Sequence, residues 1–230
     1  MISNYATIYA RFDSPILEVD CGTRCSPHND YGIPFCCDTS HAIPSAYQLE
    51  WEFLKSKTDL WHLWDPGDLD EYNRLYAEIP EGQVLIECQG HLRCQRLYRS
   101  LTCRSFPFFP YITRGGEFIG LSYYWQYEDR CWVISNLDKV TKPYRDEFVD
   151  TFDRLFREMP QEQENFRFHS GIMRRVFGRA KRTIPLLHRD GKAYTVTPRD
   201  GYLNLVPPES FPKLGLYKIT NFLAFPDELN

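Results

Sequence analysis

The chain has 230 residues, 43% of them hydrophobic and 25% charged, with a net charge of −4. Such a balance suits a soluble globular protein long enough for a real core, in one large domain or two small ones. The acidic balance argues against a general polyanion binder, and no stretch has the length and apolarity of a membrane span or a signal peptide. The expectation is a cytoplasmic protein with neither nucleic acid nor membrane as partner, in a compartment where thiols stay reduced.

Residues 1–20 read as a lead-in, with Ile8 to Phe12 and Ile16 to Val19 as extended pieces. Residues 21–43 are rich in Gly, Pro, Asn and Asp and read as a loop that a bound metal can order. Pro44 predicts a helix start, with Tyr47, Trp51 and Leu54 on its inward stripe. Asp65-Pro66-Gly67-Asp68 is a turn, followed by a short helix over 69–78 with Leu69, Tyr72, Leu75 and Tyr76 inward. Gln83 to Glu87 reads as a strand that delivers Cys88, and residues 94–104 as a turn of helix flanked by Cys94 and Cys103.

Phe106 to Ile112 is aromatic and broken by Pro. After Gly115-Gly116, residues 117–127 and the run from Cys131 to Asn136 read as the two strands of a β-hairpin. Thr141 as a cap, Pro143 in the first turn and the face of Phe148, Phe152, Leu155 and Phe156 predict a helix ended by Pro160. A second helix runs from Gln161 to Arg179, with Phe166, Met173, Val176 and Phe177 inward. Asp190-Gly191 marks a hairpin, and Gly201 to Val206 holds one more strand.

Cys21, Cys25, Cys36 and Cys37 form one group, Cys88, Cys94 and Cys103 a second, and Cys131 follows alone. In a reducing compartment such clustering points to metal binding or thiol chemistry; in an exported protein, four disulfides would be the competing account. A thiolate site needs several soft, negative sulfurs at one point, and a metal to neutralise them. Arg24, Arg93, Arg96, Arg99 and Arg104 lie beside the cysteines and can supply N–H···S bonds. The three residues between Cys21 and Cys25 fit zinc-type spacing; the five between Cys88 and Cys94 and the eight between Cys94 and Cys103 do not, nor do these match the common ferredoxin runs. The adjacent Cys36 and Cys37 serve one centre only if the chain turns there, and otherwise face two.

At these residues the chain resembles the YkgJ-type cysteine-cluster family, described as zinc- or iron-chelating. The likeness rests on the Cys36-Cys37 doublet, the stretch Pro44 to Glu50, Cys94 with Leu97 and Tyr98, and above all Cys103-Arg104-Ser105-Phe106-Pro107-Phe108. It covers about residues 21–110. Ser100-Leu101 replaces the family's Arg-Pro, and ten residues separate Cys25 from Cys36. The resemblance implies a bound iron–sulfur cluster or zinc; some relatives, such as flagellin lysine N-methylases, look like enzymes built on a cluster, an activity that the motif alone does not carry over.

Plain readings stand beside these. Cys131 reads as a core residue beside Trp132 and Val133, and His28, His41 and His91 as surface or hydrogen-bonded residues, although each could complete a Cys/His zinc site. The basic run of Arg174, Arg175, Arg179, Lys181 and Arg182 suits a helix C-terminus; Asp146, Glu147, Asp150 and Asp153 read as a solvated face. Tyr123-Tyr124-Trp125 either pack in the core or line a pocket.

The expected whole is an α+β protein. Residues 1–113 form a Cys-rich, loop-rich metal-binding region, packed as one unit with residues 114–230, a β-hairpin with helices and further strands. The expected ligands are Cys21, Cys25, Cys36, Cys37, Cys88, Cys94 and Cys103, holding an iron–sulfur cluster, with zinc as the alternative. Whether the chain is an enzyme stays open: a binding protein, a cluster-containing transferase acting on protein side chains, and a thiol-based redox or metal sensor are the three readings.

Overall fold

A computed structural model describes residues 5–218. Its helices are α1 (Tyr5–Arg11), α2 (Gly22–Cys25), α3 (Gln48–Lys57), α4 (Leu69–Tyr76), α5 (Leu101–Ser105), α6 (Lys142–Glu158) and α7 (Pro160–Arg179). Its strands are β1 (Ser45–Tyr47), β2 (Trp61–Leu63), β3 (Gln83–Cys88), β4 (Phe108–Ile112), β5 (Phe118–Tyr123), β6 (Ile184–His188), β7 (Ala193–Val196) and β8 (Leu203–Val206). The fold is α+β, with one antiparallel sheet in the order β1-β3-β2 and another in the order β4-β5-β6-β7-β8.

The larger sheet carries α6 and α7. Thr141 caps α6 by accepting a hydrogen bond from the Tyr144 N–H, and Pro143 occupies its first turn. Phe148 and Leu155 are wholly buried, and the Phe148 and Phe152 rings lie 4.5 Å apart. Each such side chain contributes about 1.5–3 kcal/mol when taken out of water. α7 buries Met173 and Phe177 as its pattern predicts, whereas Val176 stays partly exposed. Asp190-Gly191 turns β6 into β7, the Asp190 carboxylate accepting from the Lys192 N–H.

The hairpin expected around residue 128 is not formed. β5 pairs instead with β4, Phe108 opposite Tyr123, while the residues after Cys131 pass through a 3-10 stretch from Ile134 to Lys139. Pro110 does not break β4 because that strand lies at the sheet's edge, where one side of the backbone needs no ladder partner. Gly120 lets β5 and β6 approach closely: its φ is +151°, and a Cβ there would stand 2.3 Å from the Leu187 carbonyl oxygen.

In the smaller sheet β3 runs between β1 and β2. Of the two N-terminal pieces read as extended, Ile8 to Arg11 lies in α1, where Tyr5, Ile8 and Tyr9, spaced three and four apart, bury one face and Phe12 follows in the core, while Ile16 to Val19 is a run of bends rather than a strand. α3 begins at Gln48 rather than Pro44, because Ser45–Tyr47 is drawn into β1 beside β3. Its buried residues are Glu50, Trp51 and Leu54. α4 has no buried face, since Leu69 is 73% exposed and Tyr72 and Tyr76 stack on one another, with Trp64 beneath Tyr72. The loop expected over 21–43 contains α2 and two 3-10 turns, Ser26–His28 and Phe35–Cys37.

A single buried guanidinium joins the parts. Arg104 donates to the carbonyls of Tyr9 and Phe12 at the end of α1, and to those of Arg96, Leu97 and Arg99. It also lies over the Tyr9 ring, 4.4 Å from its centre, and 3.5 Å from Asp13.

Candidate functional site

All eight cysteines are free, and all eight line one cavity of about 1170 Å³. They reach it from well-separated points of the chain. Cys21 precedes α2 and Cys25 ends it, four residues and about one helical turn apart. Cys36 and Cys37 sit in a 3-10 turn that bends the doublet, with their sulfurs 3.9 Å apart. Cys88 ends β3, Cys94 follows the short turn His91–Arg93, and Cys103 lies in α5. Cys131, read from sequence as a core strand residue, lines the same cavity; its N–H bonds the Tyr127 carbonyl at the close of a 3-10 turn.

The position of Cys103 has a clear cause. The Ser100 hydroxyl accepts from the Cys103 N–H at 3.2 Å, and the Glu50 carboxylate accepts from the Leu101 N–H at 2.6 Å and from the Tyr9 hydroxyl at 2.5 Å. Two otherwise unpaired N–H groups at the start of α5 are thus satisfied, and a carboxylate sits at the positive end of the helix. Burial raises the Glu50 pKa despite these donors. Thr102 donates to the Ser45 carbonyl, so α5 is also tied to β1.

The sulfurs feel one another. Burial, and then the neighbouring Cys25 charge, pushes Cys21 up to about 12. Burial likewise pushes Cys103 and Cys131 up to about 12, with Cys37 and Cys88 adding at Cys103 and Cys21 and Cys25 at Cys131. Cys25, Cys88 and Cys94 are also raised, first by burial. Cys36 keeps its proton and shares it with Cys37, which is lowered in consequence. Burial thus favours the neutral thiol at Cys21, Cys25, Cys36, Cys88, Cys94, Cys103 and Cys131. Packed together as thiolates they would need a cation among them. Arg99 supplies part of that charge: it lines the cavity, favours the thiolate forms of Cys21, Cys37, Cys94 and Cys103, and keeps a buried Nε without a hydrogen-bond partner among the described residues. Arg104, expected to donate toward sulfur, spends its donors on carbonyls instead.

Among the described residues, no three or more His, Cys, Asp or Glu side chains are gathered closely enough to hold an ion as they stand. The donor set nevertheless has the chemistry of a soft-metal site, being all sulfur, adjoining and part-buried. His91 borders the cavity. His41 is engaged elsewhere, its Nδ1 2.9 Å from the Arg130 guanidinium, and His28 packs edge-on against Tyr217.

Beyond the sulfurs the cavity continues between β1 and α7, and its wall changes character. Tyr47 donates to Glu162 at 2.8 Å, Tyr124 and Phe166 add aromatic surface, and His169 faces the space. The His169 ring stacks on Trp125, and burial pulls its pKa down to about 4. Its Nε2 is buried and has no hydrogen-bond partner among the described residues. This His gave no signal in the sequence, because nothing in a lone His on an amphipathic helix says which way it points.

The other sequence candidates serve structure. Arg174 is buried and bonds the Tyr111 hydroxyl and the Ile112 carbonyl, and Arg182 forms a two-pronged pair with Glu128. The α6 carboxylates are not simply solvated: Glu147 receives the N–H groups of Asp13 and Ser14, and Asp153 pairs with Arg189. Tyr123 is buried against Glu128, while Tyr124 borders the cavity. No described helix is long and apolar enough to cross a membrane. Compared with family models, with curated proteins and with solved structures, the chain matches none.

Proposed function

We propose that this is a metal-binding protein whose clustered cysteine thiolates hold an iron–sulfur cluster or zinc, in a reducing compartment such as the cytoplasm. The observation that carries this reading is the convergence of Cys21, Cys25, Cys36, Cys37, Cys88, Cys94 and Cys103 on one cavity from stretches far apart in sequence. A core built of neutral thiols would not need them to adjoin. The surplus of sulfur over what one tetrahedral ion uses favours a cluster over zinc. The likeness to the YkgJ-type family belongs to the same proposal; Ser45 and Glu50, from its matching stretch, bond Thr102 and Leu101, the two residues just before Cys103.

Anaerobic purification followed by elemental analysis and a visible spectrum tests this. Brown protein with iron and sulfide selects the cluster, and colourless protein with zinc selects the ion. Neither, in protein handled without oxygen or chelator, overturns the proposal.

A second reading is an enzyme in which the metal adjoins a substrate chamber, a protein side chain being one candidate substrate. One observation favours it: the cavity exceeds the roughly 300–1,000 Å³ of ordinary ligand sites and extends past the sulfurs to His169. His169, whose Nε2 has no hydrogen-bond partner among the described residues, and the Tyr47–Glu162 pair both line that part of the cavity and could hold a donor or exchange a proton there.

A further inference from the structure

We propose that the uncovered face of α4 is a docking surface for another protein. The segment it receives is basic and amphipathic: its apolar side chains cover Leu69, Tyr72 and Tyr76, and its lysines or arginines meet the carboxylates nearby. The proposal stands apart from the metal reading, since it uses none of the cysteines.

Leu69, Tyr72 and Tyr76, at i, i+3 and i+7, share one stripe of α4. In α3, α6 and α7 the apolar stripe is buried, whereas α4 buries none of its residues. Tyr76 is 45% exposed, and so is half of Leu63 just before the helix, at 51%. The stripe is nevertheless ordered. Tyr76 stacks on Tyr72 at 5.7 Å between ring centres, and Tyr72 on Trp64 at 6.3 Å, with interplanar angles of 14° and 16°. Trp64 is buried and anchors this ladder of rings, while the Asp68 carboxylate fixes the start of α4 by accepting from the Asp70 and Glu71 N–H groups. A surface already held in place loses little freedom when a partner covers it.

Charge identifies the kind of partner. Asp65, Asp68, Asp70, Glu71, Glu78 and Glu81 are all exposed, and Arg74 is the one basic residue from 65 to 81. Six carboxylates against one guanidinium give this stretch −5; the whole chain carries −4, which leaves +1 for everything else. Among the described residues none of the six forms an ion pair. Unpaired like charges held together attract cations and repel phosphate, which disfavours nucleic acid and anionic membranes as occupants. A basic segment with an apolar stripe of its own matches both features. Contacts with the rings and Leu69 supply affinity, and the surrounding charges set partner choice and association rate.

A second copy of this chain is the nearest rival, because α7 ends in the exposed Arg175, Arg179 and Lys181. Pairing α4 of one copy with α7 of the next joins two different surfaces, however, and such a contact does not close into a two-fold dimer.

The test adds three synthetic peptides to the full-length ¹⁵N-labelled protein: one of leucine and lysine at helical spacing, one with glutamate in place of lysine, and one with serine in place of leucine. The leucine–lysine peptide is expected to bind best, to shift the amide resonances of residues 63–81, and to weaken as salt rises. The double variant Leu69→Ser, Tyr76→Ser removes only exposed side chains and should weaken binding about tenfold. The double variant Asp70→Lys, Glu71→Lys should move the preference toward the leucine–glutamate peptide. Absence of binding, shifts confined to other residues, or equal binding of either control peptide overturns the proposal. So do α4 resonances that move with protein concentration in the absence of peptide and stop moving in Leu69→Ser, Tyr76→Ser, since a second copy is then the occupant.

Discussion

Around the five-stranded sheet, stability comes from hydrocarbon: α6 and α7 press Phe148, Phe152, Leu155, Met173 and Phe177 into the core. Around the cysteines, the chain from Cys88 to Ser105 is mostly turns, and a few polar groups hold it: Glu50 at the start of α5, Arg104 on five carbonyls, and Trp61 donating to the Tyr98 carbonyl. The first region is stable by packing many interchangeable atoms. The second depends on a few irreplaceable contacts and, in our reading, on metal. Regular elements thus form where apolar periodicity exists, and a site forms where it does not.

Removing metal should widen this contrast most. Structural zinc in small peptides is worth roughly 10–16 kcal/mol, comparable to or above a whole domain's stability of about 5–15 kcal/mol. Anaerobic chelation is expected to abolish amide exchange protection in α2, the turn at Cys36 and α5. Protection in β5 and α6 should persist. Equal loss in both regions would show that the two are held alike.

Next in size are two substitutions, each expected to cost about 3–5 kcal/mol. Phe148→Ala leaves a cavity in the packed core. Arg104→Met strands several buried carbonyls and leaves the Asp13 pair broken. Urea midpoints measure both. Their consequences should differ, because Phe148→Ala retains bound metal while Arg104→Met frees the loop between Cys94 and Cys103 and lowers metal content. Unchanged metal in Arg104→Met would separate that loop from the site.

The smallest effect lies at the border between the regions. Burial lowers the His169 pKa from 6.5 to about 4. Between those values the unfolded chain carries a proton that the folded chain refuses. The stabilisation is therefore full above pH 6.5 and is lost as pH falls toward 4, by about 2–3 kcal/mol at pH 4.5. His169→Phe should flatten that part of the pH profile of the urea midpoint; an unchanged slope would place the acid sensitivity on other groups.

How much of this was legible in the sequence varied with the kind of signal. α6 announced itself through Thr141, Pro143 and a face of aromatic residues at helical spacing, and the β6–β7 hairpin through Asp190-Gly191. The extended reading of residues 8–12 failed because Tyr5, Ile8, Tyr9 and Phe12 span barely two turns, too short for periodicity to decide. β4 was hidden by Pro110, which only an edge position tolerates, and edge position is a property of the whole sheet. At the site, seven cysteines stood out by clustering in the chain. Cys131 did not, because the apolar run of Trp132, Val133 and Ile134 after it resembles a strand and conceals a sulfur that faces the cavity. The long reach of α7 that brings His169 to the same space left no trace in local pattern.

That Cys131 is the last of the cavity's sulfurs along the chain has a consequence for how the protein is made. A ribosome adding about 5–20 residues per second produces Cys131 roughly 5–20 s after Cys21. For that interval the emerging chain carries up to seven thiols whose enclosure has not yet been synthesised. Newborn chains are thus the stage most open to oxidative cross-linking, and production in oxidising hosts should yield mispaired, insoluble material even where the finished protein tolerates air.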